Sequence, residues 1–229
     1  MKPIIFILIL ASCLVLSAAP ADAGKSRTVH EETATYALTY PIWEGDPASD
    51  AITADILSHV LHTKNAAEEL GCVVHFFYKR PREDDRYLSY IFLSDYHRKS
   101  DGYARSTAEG VVYDKVTGEK VPLSHFADVT TADLVRLYEA GAFHHYEGLP
   151  LPIDPVKRPT KVPEDYFITR WGTIFVLFDA RELAPFQAGA TAIDVTSLKH
   201  PGVSLPSVYA AAAPFPTHHK RAASPAIFP

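Results

Sequence analysis

The expected fold is defined most narrowly by the segment from Phe167 to Leu198, which reads FITRWGTIFVLFDARELAPFQAGATAIDVTSL. Two runs of β-branched and aromatic residues flank the turn-forming pair Trp171-Gly172, and this pattern predicts a β-hairpin. Residues 179–189 then leave the predicted sheet as a loop with charged residues, a proline and an aromatic ring, before an extended run resumes. The segment indicates the core of an antiparallel sheet that carries a candidate contact loop, and it identifies no reaction by itself.

The first 23 residues have the features of a cleavable export signal. Lys2 supplies a positive start, residues 4–16 form an almost unbroken apolar run, and Ala21-Asp22-Ala23 matches the pattern that precedes a cleavage site. Because the apolar run is short for a membrane span, we expect a bacterial protein that is exported, to the periplasm or outside the cell, and cleaved after Ala23. A second interpretation stays open, since Leu10-Ala11-Ser12-Cys13 matches a lipoprotein box and would leave a lipidated Cys13.

Composition and charge favour one ordinary globular domain that binds no nucleic acid. Of the 229 residues, 47% are hydrophobic and 21% are charged, values typical of a folded domain. The formal net charge is -5 and the basic residues form no long run, which argues against a nucleic-acid partner and suits a basic protein partner. Cleavage after Ala23 leaves Cys72 as the sole cysteine, so we expect no intrachain disulfide.

A long helix in the N-terminal half is predicted from the spacing of its apolar residues. These recur at four-residue intervals from Ile52 to Val60, as on a helix that packs one face against a sheet. Ser49 or Asp50 is expected to cap the helix at its N-terminus, and Gly71 is expected to end it.

Four other stretches complete the predicted organisation. Residues 24–33 are polar and predict a flexible lead, whereas residues 201–229 are rich in Ala, Pro and Ser and predict a disordered tail. Arg80–Arg86, with the sequence RPREDDR, is expected to be a solvated hairpin loop, and a second helix is predicted from Thr130 to Gly141. The predicted fold is therefore a single α+β domain over residues 34–200, in which an antiparallel sheet is packed by one long helix and a second shorter helix.

Two motifs give the sequence a resemblance to a family of extracytoplasmic domains. Residues 109–129, EGVVYDKVTGEKVPLSHFADV, resemble the family pattern yD..TG..i.L.dlF, and residues 175–189, FVLFDARELAPFQAG, resemble f.F..yElAPyaaG. The family is the domain of unknown function shared by the RsiV anti-sigma factor and the PdaC deacetylase, and the resemblance extends over about residues 33–198. This chain departs from the family at residues 99–104, where KSDGYA stands in place of a frequent Gly-Gly-Ala-His stretch.

The resemblance implies recognition of a protein rather than catalysis. RsiV binds C-type lysozyme, so the resemblance implies a partner among lysozyme-like cell-wall hydrolases, bound by an inhibitor or sensor domain without an anti-sigma region. The positions carried over as partner-binding candidates are Asp179, Glu182, Pro185, Phe186 and Gly189. Each also has an ordinary structural interpretation, with Pro185 and Gly189 shaping the loop and Phe186 buried in the core.

The sequence contains no catalytic motif, and we expect no catalytic residue, metal or cofactor. The common nucleophile, zinc-protease, phosphate-loop and dinucleotide-binding patterns do not occur. Asp95, His97 and Asp101 are spaced closely enough for zinc ligands, but a polar strand end is the simpler interpretation. A glycosidase needs two acids across a cleft, and no spacing favours a pair among the acids considered: Glu109, Asp114, Asp179 and Glu182.

Three functions follow as alternatives. The first is an exported, non-enzymatic envelope protein that binds another protein. The second is a module that binds peptidoglycan or another cell-wall glycan. It requires exposed aromatic side chains on one face, for which the candidates are Trp43, Tyr103, Trp171 and Phe186. The third is an enzyme acting on peptidoglycan, which requires acids clustered in a cleft.

Overall fold

A computed structural model describes residues 25–147 and 157–208. The predicted signal peptide, Cys13 and the residues after Val208 lie outside this part of the chain. The described part is an α+β domain, which confirms the predicted fold class, and neither of its two α-helices is long and apolar enough to cross a membrane. The elements in chain order are β1 (Lys25–Glu32), β2 (Tyr36–Glu44), α1 (Pro47–Leu70), β3 (Val73–Glu83), β4 (Tyr87–Arg98), β5 (Tyr103–Asp114), α2 (Thr131–Glu139), β6 (Phe143–His145), β7 (Tyr166–Ile168), β8 (Ile174–Phe178) and β9 (Thr191–Asp194).

The strands form two sheets rather than the one antiparallel sheet that the sequence predicts. The first sheet has the strand order β1-β2-β3-β4-β5, and the second has the order β6-β9-β8-β7. Neighbouring strands are antiparallel except β2 and β3, which pair in parallel. The exception follows from α1, because its 24 residues carry the chain back along the sheet and β3 then enters in the direction of β2.

Local sequence determines both ends of α1. Asp46 caps the helix by accepting a hydrogen bond from the Ser49 amide at 2.9 Å, so the cap precedes the predicted Ser49 or Asp50. Pro47 occupies the first helical position, where a missing N–H group costs no intrahelical bond. Gly71 ends the helix in the left-handed conformation with a φ of 60°, as predicted.

The elements stack in layers with hydrophobic clusters between them. Helix α1 packs on one face of the first sheet, and the second sheet packs on the opposite face. Helix α2, capped by Thr130 as predicted, contacts β9 of the second sheet and buries Leu134 and Leu137 there. Because both of its faces are covered, β4 is buried at every position from Tyr87 to Ser94, in agreement with its nearly continuous apolar sequence.

The predicted flexible lead, residues 24–33, is instead occupied by the edge strand β1. It pairs with β2 along its whole length, with Lys25 opposite Glu44 and Val29 opposite Tyr40. Most of its side chains are exposed, so a hydrophobic pattern does not reveal the strand. Charged side chains such as Arg27, which pairs with Glu44 at 2.9 Å, are a usual feature of sheet edges because they discourage pairing with other chains.

The predicted solvated loop Arg80–Arg86 is mostly strand. β3 continues to Glu83 and β4 begins at Tyr87, so only residues 84–86 connect the two strands. Within this charged stretch Arg82 is a core residue, with 1% of its surface exposed. Charge alone predicted solvation, and this prediction is wrong because two of the three acceptors that hold Arg82 are distant in sequence.

Three acceptors surround the buried guanidinium of Arg82. Its Nε donates to Asp84 Oδ2 at 2.6 Å, its Nη1 to the Thr169 carbonyl at 3.3 Å, and its Nη2 to the Pro206 carbonyl at 3.0 Å. A buried charge is tolerated only when it is paired and hydrogen-bonded in this way. Arg82 therefore joins the end of β3 to the residue after β7 and to the C-terminal segment.

Residues 201–208, which the sequence predicts to be disordered, belong to the folded domain. Leu205 is 7% exposed and packs in the cluster beneath α2. Gly172 makes room for this segment, because a Cβ at that position would lie 2.1 Å from the Leu205 carbonyl oxygen. The remainder of the predicted tail, residues 209–229, lies outside the described residues.

Candidate binding surface

The predicted contact loop, residues 179–189, follows β8 directly, and we call it the contact turn. It contains a short 3-10 turn, Phe186–Ala188, closed by a hydrogen bond from the Ala188 amide to the Pro185 carbonyl at 2.9 Å. Leu183 and Ala188 are 2% and 5% exposed and pack in the cluster beneath α2. The backbone of the contact turn is thus anchored from below by its own apolar residues.

Pro185 and Gly189 give the contact turn its shape. Pro185 begins the 3-10 turn with a φ of -57°, which lies in the range that the proline ring imposes. Gly189 ends the turn with a φ of 68° and a ψ of -157°, a conformation that only glycine adopts readily. Space is not the constraint, since a Cβ on Gly189 would lie 3.6 Å from its nearest neighbour, His145 Nε2.

Asp179 and Glu182 both have partners within the fold. Asp179 Oδ1 accepts a hydrogen bond from the Ala108 amide at 2.7 Å, and burial raises the pKa of its carboxyl group. Glu182 Oε2 accepts from the Asp179 amide at 2.9 Å, and Glu182 Oε1 lies 3.5 Å from Lys161 Nζ. The structure therefore brings these two predicted residues together, and their carboxylates hold the contact turn to β5 and to Lys161.

Phe186 is half-buried and is covered on one side by an arginine that the sequence did not single out. The guanidinium carbon of Arg181 lies 4.6 Å from the centroid of the Phe186 ring, which is a cation–π contact. Arg181 has a φ of 75°, and no other non-glycine residue in the described chain has a positive φ. Both side chains line a cavity of about 230 Å³ together with Tyr103, Ala104, Arg105, Ser106, Asp179 and Ala180.

Two aspartates cover the free edge of β5, which is the last strand of the first sheet. Asp179 accepts the Ala108 amide, and Asp165 Oδ1 accepts the Gly110 amide at 3.2 Å. These amides have no partner strand and need other acceptors once they are buried. Asp165 was missed by sequence reasoning, because it stands in a Pro- and charge-rich stretch without a recognisable motif.

A groove of about 1050 Å³ opens beside this edge. Its polar end is formed by His59, Glu109, Lys120 and Asp165, and apolar side chains line much of the rest. A second cavity of about 380 Å³ shares residues 162–165 with the groove and reaches Asp179 and Glu182. The groove and the contact turn are thus neighbouring parts of one surface.

Glu109 and His59 form a half-buried ion pair in the groove. His59 Nδ1 lies 2.5 Å from Glu109 Oε2, and His59 Nε2 lies 3.4 Å from Asp55 Oδ2, which also accepts a hydrogen bond from the Tyr113 hydroxyl at 2.6 Å. The hydrogen bond from His59 lowers the pKa of Glu109. Burial by itself lowers the pKa of His59, but the bond to Glu109 and its charge outweigh burial and raise it. Both shifts favour the charged form of the pair.

Asp165 lines the same groove, and its pKa is shifted upward, opposite to that of Glu109. Burial raises the pKa of its carboxyl group to about 6, the Gly110 hydrogen bond partly opposes this, and the charges of Glu109 and Asp179 add to it. Folding thus makes the charged form of Asp165 less favourable than it is in the unfolded chain.

Replacing Asp165 with asparagine should stabilise the protein at neutral pH. A carboxyl group whose pKa rises on folding stabilises the fold below its unfolded-state pKa, and this contribution is lost as the pH rises through about 6. Asparagine keeps an acceptor for the Gly110 amide without a charge to bury. Allowing for partial exposure, we expect a gain of about 1–2 kcal/mol above about pH 7 and little difference near about pH 4. Urea unfolding of both proteins at the two pH values measures this.

The matched control is Glu164→Gln, which removes a charge from the exposed neighbouring residue. It should change the free energy of unfolding by less than about 0.5 kcal/mol at either pH. An Asp165→Asn protein that is less stable than the wild type above pH 7 would show that the charge at this position stabilises the fold.

The acid and histidine candidates at the end of β4 have separate partners. Asp95 Oδ1 accepts a hydrogen bond from the Ser106 hydroxyl at 2.5 Å, and Asp101 pairs with the Arg98 guanidinium at 2.8 Å, while His97 is exposed. Within residues 25–147 and 157–208, no three His, Cys, Asp or Glu side chains are grouped as metal ligands.

The aromatic residues expected for a glycan-binding face do not share one surface. Trp43 is 2% exposed and donates its indole N–H to the buried Tyr90 hydroxyl at 2.8 Å. Trp171 is 54% exposed but precedes β8, whereas Phe186 follows it, so the two lie at opposite ends of that strand. Only Tyr103 and Phe186 line the same cavity.

Comparison with known proteins shows the fold alone. The sequence matches no protein-family model, and no curated protein matches it. The crystal structure of a DUF3298 family member from Bacteroides fragilis matches with a TM-score of 0.54 at 9% identity, over 79% of this chain and 95% of that chain. A DUF3298 family protein from Pseudomonas aeruginosa matches with a TM-score of 0.54 at 10% identity, over 80% of this chain and 97% of that chain. The finer resemblance to the domain of RsiV and PdaC rests on the two sequence motifs.

Proposed function

We propose that this domain is a non-enzymatic protein of the bacterial cell envelope that binds a lysozyme-like cell-wall hydrolase through the contact turn. The observation that carries the proposal is the Arg181–Phe186 pair, which is held at the surface by a backbone anchored through Leu183 and Ala188. The sequence motif that includes Pro185 and Phe186 supports the same assignment.

The contact turn has the residue types and the rigidity that favour a protein interface. Aromatic and arginine side chains contribute most of the binding energy at protein interfaces. A backbone that is already ordered by core packing and by glycine and proline loses little further entropy on binding. The net charge of -5 favours association with the basic surfaces typical of lysozymes.

The proposed setting is outside the cytoplasm, after removal of residues 1–23. There the protein would protect the cell wall from hydrolysis or report the presence of the hydrolase. Binding by itself suffices for either role, so no catalytic residue is required. Slower lysis of cell walls by lysozyme in the presence of the protein, without turnover of any product, is the activity to measure.

Replacing Phe186 with alanine should weaken binding at least about tenfold, because the ring at the centre of the proposed contact is lost and Arg181 loses the surface on which it stacks. The ring is only half-buried, so we expect the melting temperature to fall by no more than about 4 °C. Calorimetry of the protein with a C-type lysozyme, at low and at moderate salt, measures the dissociation constant and the stoichiometry.

Trp171→Ala is the matched control, since it removes an exposed aromatic side chain at the other end of β8. It should leave the dissociation constant unchanged. Absence of heat for the wild-type protein at both salt concentrations would refute the proposed partner, and unfolding of Phe186→Ala would assign Phe186 to the core instead of the contact.

A second candidate function is favoured by one observation, the shared groove of Glu109 and Asp165. Glycoside hydrolases use two carboxyl groups whose environments move their pKa values apart, and these two are shifted in opposite directions. We place this function second because Glu109 already binds His59 and Asp165 already binds the Gly110 amide. Release of reducing ends from purified peptidoglycan by the wild-type protein would establish it, whereas sedimentation with peptidoglycan without release would indicate a glycan-binding module.

A further inference from the structure

Arg105 and Arg181 line one cavity, and neither forms an ion pair with a carboxylate in the described part of the chain. Both side chains are exposed, and they border the 230 Å³ cavity together with the rings of Tyr103 and Phe186. Arg170 also has no ion pair there, but it stacks on Trp171. Seven other arginines of the described chain form ion pairs with Asp or Glu: Arg27, Arg80, Arg82, Arg86, Arg98, Arg136 and Arg158.

The backbone of Arg181 is held in a conformation that arginine does not favour. Its φ of 75° lies in the left-handed region, which costs an L-residue about 1–2 kcal/mol relative to the right-handed region. Such strain persists where the surrounding structure imposes it, and it is concentrated at functional positions. Here the strained backbone places the guanidinium over the Phe186 ring at the edge of the cavity.

We infer that Arg105 and Arg181 together bind a carboxylate group of the partner protein, at the point where the contact turn meets it. The inference rests on the proposed function and names the chemical group that the contact turn recognises. Guanidinium groups bind carboxylates through paired, charge-assisted hydrogen bonds of fixed geometry. Asp179 also lines the cavity, and its charge interacts with that of Arg105, but its carboxylate accepts its hydrogen bond from the Ala108 amide of β5 rather than from an arginine.

The inferred site fits the proposed class of partner. Glycoside hydrolases of the lysozyme type carry a pair of catalytic carboxyl groups on either side of the scissile bond. A basic hydrolase therefore presents carboxylates inside its substrate cleft. This protein has the reverse arrangement, with a net charge of -5 and two arginines that form no ion pair in the described chain, Arg181 in the contact turn and Arg105 in β5. Arg181, stacked on Phe186, would enter the cleft and occupy a catalytic carboxylate.

A double-mutant cycle between the two proteins tests the inference. The full chain and its Arg181→Met and Arg105→Met variants are titrated with a C-type lysozyme and with the same lysozyme in which the general-acid glutamate is replaced by glutamine. We expect Arg181→Met to weaken binding of the unmodified lysozyme about tenfold and binding of the glutamine variant less than about twofold. Arg158→Met is the matched control, because it removes an exposed charge beside the contact turn that is already paired with Glu139.

The outcomes separate this inference from the proposed function. Tight binding by the wild type that is unaffected by Arg181→Met and Arg105→Met would overturn the carboxylate site and leave the proposed function intact. Equal losses against both lysozymes would show that the arginines act through general charge, and this too would overturn it. No binding by the wild type would refute the lysozyme-like partner.

Acetate provides a probe of the site that does not depend on the partner. Titration of the protein with acetate, followed by NMR of the arginine Nε–H groups, should shift the Arg105 and Arg181 signals with one common saturation curve. Shifts that increase linearly, or that resemble those of the paired Arg158, would show that these arginines form no carboxylate site.

Discussion

Replacing Gly110 with alanine should destabilise this protein by about 3 kcal/mol or more, although alanine is normally preferred to glycine within a strand. A Cβ at this position would lie 2.5 Å from the Tyr166 carbonyl oxygen and 2.8 Å from its carbonyl carbon and amide nitrogen. These are backbone atoms, so no side-chain rotation relieves the overlap. Tyr166 is itself 2% exposed and its hydroxyl donates to the Val121 carbonyl at 2.5 Å, which prevents β7 from retreating.

The free energy of unfolding of Gly110→Ala, obtained from urea denaturation, measures this effect. Gly71→Ala is the control, because Gly71 has a φ of 60° but no atom within 4 Å of an added Cβ. Gly71→Ala should lower the free energy of unfolding only by the strain of the left-handed conformation, about 1–2 kcal/mol. A Gly110→Ala protein as stable as the wild type would show that the two sheets can separate at this point.

Replacing Arg82 with methionine should cost about 3–5 kcal/mol, the usual result of removing one partner from a buried ion pair. Methionine fills a similar volume but leaves the carbonyls of Thr169 and Pro206 without their donor and Asp84 without its counter-charge. Since each kcal/mol corresponds to about 2–4 °C in a domain of this size, the melting temperature should fall by about 6–20 °C.

Arg80→Met is the control for Arg82→Met. Arg80 lies in the same strand and pairs with Glu83 at 2.8 Å, but its side chain is 40% exposed. Exposed pairs contribute little, so its loss should cost less than about 1 kcal/mol. Adding Asp84→Asn to Arg82→Met should recover part of the stability by removing the unpaired charge. Equal melting temperatures for the Arg80 and Arg82 variants would contradict the structural assignment of Arg82.

Signals that are local in sequence predicted the corresponding elements correctly. The β7–β8 hairpin follows from β-branched and aromatic runs around Trp171-Gly172, and the end of α1 follows from Gly71. The cap of α2 at Thr130 was also correct, because a capping hydrogen bond reaches only three residues ahead, to Asp133. In each case the deciding interaction lies within a few residues of the signal.

The incorrect predictions concern residues whose deciding interactions are distant in sequence. β1 is polar because it is an edge strand, and only its pairing with β2 identifies it as a strand. The sequence around Arg82 predicts a solvated side chain, but the side chain is buried and hydrogen-bonded to carbonyl groups 87 and 124 residues away. The division into two sheets likewise depends on long-range packing between β5 and β7, which no local pattern of residues specifies.

The candidate site was predictable in part. The motif located the contact turn and its shaping residues Pro185 and Gly189, but it gave no indication that Arg181 adopts a positive φ. The groove could not be predicted from the sequence, because His59 comes from α1, Glu109 from β5 and Asp165 from the segment before β7. Acid and histidine residues that far apart can be recognised as a cluster only after the fold is known.

The bond between Arg82 and Pro206 joins residues that are 124 positions apart, and this has a consequence for synthesis. The first sheet and α1 are translated long before Leu205 and Pro206 are available to complete the core and the acceptors of Arg82. Contacts of such long sequence separation are slow to form. A chain that emerges N-terminus first therefore keeps an incomplete core until Leu205 and Pro206 have emerged as well.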